Sequence, residues 1–150
     1  AASTEGGEVV KTIDSVTDEY IRASQNEFEP TDDMILAAQA LLKRGELSPD
    51  TMMRALKNGQ IASFIAQMMI HLDVEFKVAD RMIADETGRY LASFCRVHRG
   101  DKKLFLQMFL MTERYRGGDR MIDPSRLNAA LLGYDQLNYE QGRQLLNSLQ

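Results

Sequence analysis

After residue 12 the apolar residues of this chain recur at helical spacing, and nothing alternates with the two-residue period of a strand for long. That pattern points to helices packed on helices around one core. Residues 60–72 show it best: Ile61, Phe64, Ile65, Met68 and Leu72 fall at i, i+3, i+4, i+7 and i+11, the spacing that builds one buried face.

Start and stop signals divide the pattern into short pieces. Thr31-Asp32-Asp33 offers a capping oxygen and acidic side chains ahead of Met34, Ile35, Ala38, Leu41 and Leu42, and Gly45 follows as a left-handed stop. Ser48-Pro49-Asp50 and Asp123-Pro124-Ser125 each place a cap before a proline at the first helical position, where its missing N–H costs nothing. Gly59 separates two further helices. Asp73 is predicted to cap a helix carrying Val74, Val78, Ala79, Met82 and Ile83. After the Asp85-Glu86-Thr87-Gly88 break comes a helix with Leu91, Phe94 and Cys95 inside; Gly100 ends it and Asp101 caps the next. Gly133 is predicted to close the helix that Pro124 opens, and a last helix near 138–148 buries Leu145, Leu146 and Leu149. A weaker helical pattern runs through Ile13, Val16, Tyr20 and Ile21. The fold expected is all-α: an irregular bundle of about eight or nine short helices in antiparallel hairpins, helical-repeat-like but without a strict sequence period.

A chain of 150 residues suffices for one domain that closes its core without a metal or disulfide. Residues 1–12 read as a disordered lead-in and 13–150 as a single helical domain, or as the C-terminal part of a longer protein. The one cysteine, Cys95, has no partner for an intramolecular disulfide and fits a reducing compartment. No apolar run approaches the roughly 18–20 residues that cross a bilayer, and the first residues lack the basic and apolar regions of a signal peptide. The expected location is therefore the cytoplasm, with no membrane partner.

Residues 102–115 stand apart, because Leu104, Phe105, Leu106, Met108, Phe109, Leu110 and Met111 go almost all the way round a helix. Such a helix is either central in the core or covered by a partner. Most of the nine methionines fall on apolar faces, where they fill a core, with a plastic partner groove as the other reading.

No residue pattern volunteers for catalysis. His71 and His98 are the only histidines and form no HExxH pair; with Cys95 they offer three ligands where a structural zinc site takes about four. Cys95 and His98 share a helical face, but Cys95 lies on the stripe of Leu91 and Phe94 and reads as a buried thiol. His98, followed by Arg99, Gly100 and Lys102, has some ingredients of a histidine phosphotransfer site, yet it lies at a helix end. The carboxylate pairs Asp32-Asp33 and Asp85-Glu86 sit at helix starts, where the dipole explains them. Gly117-Gly118 lacks the lysine and serine or threonine of a phosphate loop, and no Gly-x-Ser-x-Gly elbow occurs. A chain without enzymatic activity, cofactor or metal is the expectation.

Charge is the feature that chemistry leaves unexplained. Residues 1–88 hold 16 Asp and Glu against 8 Lys and Arg, whereas residues 89–126 hold 9 Lys and Arg against 4 Asp and Glu. The offset serves either internal complementarity or the steering of an anionic partner. Arg96, Arg99, Lys102, Lys103, Arg114, Arg116 and Arg120 cluster around two helix ends and a glycine loop and form the candidate partner-binding surface. With a net charge of −4 the chain lacks the overall basic balance of a nucleic-acid binder, so an acidic protein surface is the favoured ligand.

Gly45-Glu46-Leu47-Ser48, Met53-Arg54-Ala55-Leu56-Lys57-Asn58-Gly59, Phe64, the Val78 to Ile83 helix, Leu91-Ala92-Ser93-Phe94-Cys95-Arg96 and Leu104-Phe105 carry a family resemblance. From Gly45 to about Met121 the chain resembles the C-terminal helical domain of an uncharacterised, mainly alphaproteobacterial family, domain of unknown function 2336. The resemblance implies a helical-repeat-like fold, a bacterial cytoplasm and longer relatives with further helical repeats upstream. It carries over no catalytic residue. The function expected from the sequence is a helical protein–protein interaction or regulatory module, its partner an acidic protein surface or a second copy. A nucleic-acid-binding regulator using region 96–120 is the alternative, and a histidine phosphotransfer-like signalling domain a weaker one.

Overall fold

A computed structural model describes residues 27–117 and 121–150; the lead-in 1–12, the segment 13–21 and Arg120 lie outside the described residues. Nine helices follow one another, with no strand among the described residues: α1 (Asp32–Lys43), α2 (Pro49–Lys57), α3 (Ile61–Leu72), α4 (Phe76–Ala84), α5 (Arg89–Val97), α6 (Lys102–Met111), α7 (Glu113–Gly117), α8 (Pro124–Gln136) and α9 (Tyr139–Asn147).

The caps read from the sequence are made. Thr31 accepts from the Met34 N–H at 3.3 Å, Asp101 from Leu104 at 2.8 Å and Asp123 from Ser125 at 2.9 Å. Ser48 and Thr51 close a reciprocal capping box at the start of α2, and Asn138 with Gln141 close another at α9. Each satisfies helix N–H groups that have no partner within the helix. Gly45 takes φ of +70°, the left-handed stop expected of it, and Gly59, expected to separate two helices, does so at φ +73°.

Three boundaries differ from expectation. Asp73 ends α3 instead of capping α4: its φ is +54°, and aspartate is one of the few residues that tolerate this region. Gly133 sits inside α8, which runs on to Gln136 because nothing there requires a left-handed residue. The stretch 102–115 is two helices, broken at Thr112, whose buried hydroxyl turns back to the Met108 carbonyl at 2.7 Å.

In space α3 and α5 form the centre. Among the described helices α1 packs on α3 alone and α9 on α5 alone, while α2 and α4 flank α3 and α6 bridges α2, α5 and α8. The core joins Phe64, Ile65 and Met68 of α3 with Met82 and Ile83 of α4, Leu91 and Phe94 of α5, and Phe105, Met108 and Phe109 of α6. Met52 and Met53 are buried with them, as core filling requires, whereas Met111 and Met121 are exposed. So α6 is a core helix with an open edge: Leu110 and Met111 remain 40% and 37% exposed. The close packing of α9 on α5 depends on Gly142, where an added Cβ would stand 3.2 Å from the Ser93 carbonyl oxygen.

Candidate functional site: a cationic groove between α2, α5 and α6

The seven cations singled out in the sequence do not form one surface. Arg116 is a structural residue, its side chain 0% exposed. Its guanidinium donates to the Ile83 carbonyl at 2.8 Å, to the Thr112 hydroxyl at 2.9 Å, to the Phe109 carbonyl, and to the Glu113 carboxylate at 3.2 Å, and it lies over the Phe109 ring. Arg126 of α8 pairs with the other oxygen of Glu113. Burial brings the Arg116 group down to about 10, still charged at neutral pH. No partner can reach it, because the chain's own carbonyls, hydroxyl and carboxylate already fill its five N–H donors.

Arg96 is also turned inward. Its guanidinium stacks 3.9 Å from the Tyr134 ring centroid and donates to the Tyr134 carbonyl at 2.9 Å, tying α5 to α8. Lys102 pairs with Asp135 at 2.8 Å, and Arg114 pairs with Glu27 at 3.5 Å while covering the Phe28 ring. Arg99 and Lys103 remain, both exposed and neither paired among the described residues.

These two share a groove of about 470 Å³ with Lys57, an exposed cation at the last turn of α2. Sequence reading missed Lys57 because it lies far upstream of the basic stretch. The only local signal was a lysine where the C-terminal dipole favours one. Met53 and Leu104 contribute apolar wall, and Asp50 and Asp101 also line the groove. Both carboxylates sit at helix starts: Asp50 in the first turn of α2, Asp101 as the cap of α6. There the helix dipoles favour them, and with three cations against two carboxylates the lining is net positive by one charge.

The α5–α6 turn explains how Arg99 comes to be there. The Gly100 N–H donates to the Cys95 carbonyl at 2.7 Å and the Arg99 N–H to Arg96, the bond pattern of a left-handed helix stop. A Cβ at Gly100 would stand 2.4 Å from the Leu104 side-chain methyl, so a larger residue there would require Leu104 to shift. In that motif the residue after the C-cap is the left-handed one, and here it is Arg99 at φ +58°, a backbone cost of roughly 1–2 kcal/mol.

His98 closes one wall of the groove. Its Nδ1 lies 3.3 Å from His71 Nε2, and the Phe94 ring packs on both imidazoles. Burial and the neighbouring His71 lower His98 to about 4, and burial lowers His71 as well. The His98 Nε2 is buried without a partner, so a receiver domain has no path to it, which removes the geometric basis of the phosphotransfer reading. No group of three or more His, Cys, Asp or Glu side chains is placed to hold a metal among the described residues. Cys95 is fully buried against the Met108 sulfur at 3.8 Å, its thiol pushed up to about 12 by burial.

A family described as an uncharacterised protein conserved in bacteria, DUF2336, matches the chain over residues 2–147. The chain belongs to this family. The match extends well beyond the 45–121 stretch that carries the sequence resemblance, so all nine described helices are helices of the DUF2336 unit. No curated protein and no solved structure matches the chain. No described helix of this DUF2336 member is long and apolar enough to cross a membrane.

Proposed function

We propose that this DUF2336 chain is a non-catalytic, regulatory helical module that holds an acidic segment of a protein partner in the α2–α5–α6 groove. The observation that carries this reading is the convergence of Lys57, Arg99 and Lys103, from three separate elements, on one groove in which none is paired among the described residues. The apolar wall of Met53 and Leu104 gives the partner's side chains a surface to bury, and the cations supply orientation and on-rate.

The test is fluorescence anisotropy with a panel of labelled acidic peptides, compared with sequence-scrambled neutral peptides at low salt. Binding of acidic peptides should weaken by at least about tenfold in Lys57→Glu/Arg99→Glu/Lys103→Glu, whereas Arg114→Glu should leave it unchanged. Equal binding by parent and triple variant overturns the assignment of the groove. Preferential, salt-dependent binding of duplex or single-stranded oligonucleotides in the same assay would favour the nucleic-acid reading instead.

A further inference from the structure

The groove has a complementary surface on the same molecule. Glu27-Phe28-Glu29-Pro30-Thr31-Asp32-Asp33 holds four carboxylates and no cation in seven residues, and all four carboxylates are exposed. This edge is fixed in place. Phe28 packs 5.1 Å from the Tyr115 ring of α7, Glu27 pairs with Arg114, Pro30 is buried, and Thr31 caps α1. Glu29, Asp32 and Asp33 are in no ion pair among the described residues.

The chain cannot seat this edge in its own groove. The groove opens at the N-terminal end of α6, around Lys103, while the edge is anchored to α7 beyond the other end. A ten-residue helix separates the two by roughly 15 Å. The helix α2 also stands between them: Asp33 lines a cleft with Arg54 and Asn58 on one side of α2, and Lys57 faces the groove on the other. Acidic and basic surfaces placed this way on one molecule meet between molecules.

We infer that the groove's acidic partner is a second copy of this chain, whose edge Glu29, Asp32 and Asp33 seats among Lys57, Arg99 and Lys103. This inference rests on the proposed function of the groove and names its occupant. The contact is heterologous, head to tail, so a pair keeps one free groove and one free edge, on different copies, and association continues past the dimer.

Sedimentation velocity on the full chain tests it. The weight-average sedimentation coefficient should rise with concentration at about 0.01 M salt. It should fall to the monomer value at about 1 M, as the screening length drops from roughly 30 Å to 3 Å. The groove variant Lys57→Glu/Arg99→Glu/Lys103→Glu and the edge variant Glu29→Lys/Asp32→Lys/Asp33→Lys should each be monomeric alone, and an equimolar mixture should associate again. Circular dichroism of each variant verifies folding, and the neutral edge variant Glu29→Gln/Asp32→Asn/Asp33→Asn, with Thr31 kept, should associate at least about tenfold more weakly than the parent. A parent that stays monomeric at low salt overturns the inference, as does association that survives groove reversal. If acidic peptides still bind such a monomeric parent, the groove's function stands and only its occupant is wrong.

Discussion

The Nε2 of His71 lies 3.3 Å from the Nδ1 of His98, so the C-terminal ends of α3 and α5 are joined through two half-buried imidazoles that favour the neutral state. Burial, and for His98 also the second imidazole, hold both groups below their ordinary value, His98 at about 4. The unfolded chain therefore takes up protons first. Stability is fully present above about pH 6.5 and is lost as the pH falls towards 4. The loss should be on the order of 1–2 kcal/mol, reduced from the fully buried case because the pair keeps some solvent. Urea denaturation at several pH values between 7 and 4 reads this slope. His71→Gln/His98→Gln should flatten it, and an unchanged slope would show that other groups govern the acid limb.

Gly133 and Gly142 look alike in the sequence, each a glycine within a helical stretch, yet substitution should move stability in opposite directions. A Cβ at Gly133 meets nothing within 4 Å, and its φ is not positive. Gly133→Ala should therefore stabilise by about 0.5–1 kcal/mol, through helix propensity and a less free unfolded chain. At Gly142 the backbone of Ser93 is 3.2–3.3 Å away, and backbone cannot rotate aside. Gly142→Val should cost about 1–3 kcal/mol by forcing α9 off α5. At roughly 2–4 °C per kcal/mol for a chain of this size, thermal melts separate the two.

That contrast shows where the sequence stops being legible. Signals settled within four residues hold in the fold: Thr31, Ser48, Asp101 and Asp123 cap because a side-chain oxygen meets an N–H two or three positions on. Asp73 failed because the same side chain suits a cap and a left-handed stop, and only the path of the chain chooses between them. The basic stretch failed for a different reason. Arg116 is taken by the carbonyl of Ile83, 33 residues away, and Arg96 by Tyr134, 38 residues away, and no local pattern announces a guanidinium's distant acceptor. The groove was half visible, with Arg99 and Lys103 in the basic stretch and Lys57 brought in only by the packing of α2 on α6.

Cys95 should behave as an inert thiol. It is fully buried on the inner face of α5, its sulfur on Met108, and its pKa is pushed up to about 12. At pH 8 the thiolate population is small and the reagent has no path to it. Reaction of the native chain with a thiol-reactive disulfide should be at least about 1,000-fold slower than that of a free thiol, and should reach one equivalent on denaturation. Prompt stoichiometric labelling of native protein would show that the core opens around α5 far more often than this packing allows.

Arg116 offers the sharpest separation between a cation that holds the fold and cations that are free to bind. Its side chain bonds to two carbonyls and one hydroxyl from α4, α6 and the α6–α7 break, and it shares Glu113 with Arg126. Arg116→Met keeps much of the volume but leaves Glu113 with Arg126 alone and strips the Ile83 and Phe109 carbonyls of a donor. Glu113 keeps one cation, so the cost comes mainly from buried acceptors left without a donor, about 1–3 kcal/mol. Arg99→Gln and Lys103→Gln, on exposed side chains, should change stability by no more than about 0.5 kcal/mol while weakening acidic-peptide binding. Parallel melts and binding curves on the three variants check the division. A well-folded Arg116→Met with full peptide affinity and an unshifted melting temperature would sink the structural role assigned to Arg116.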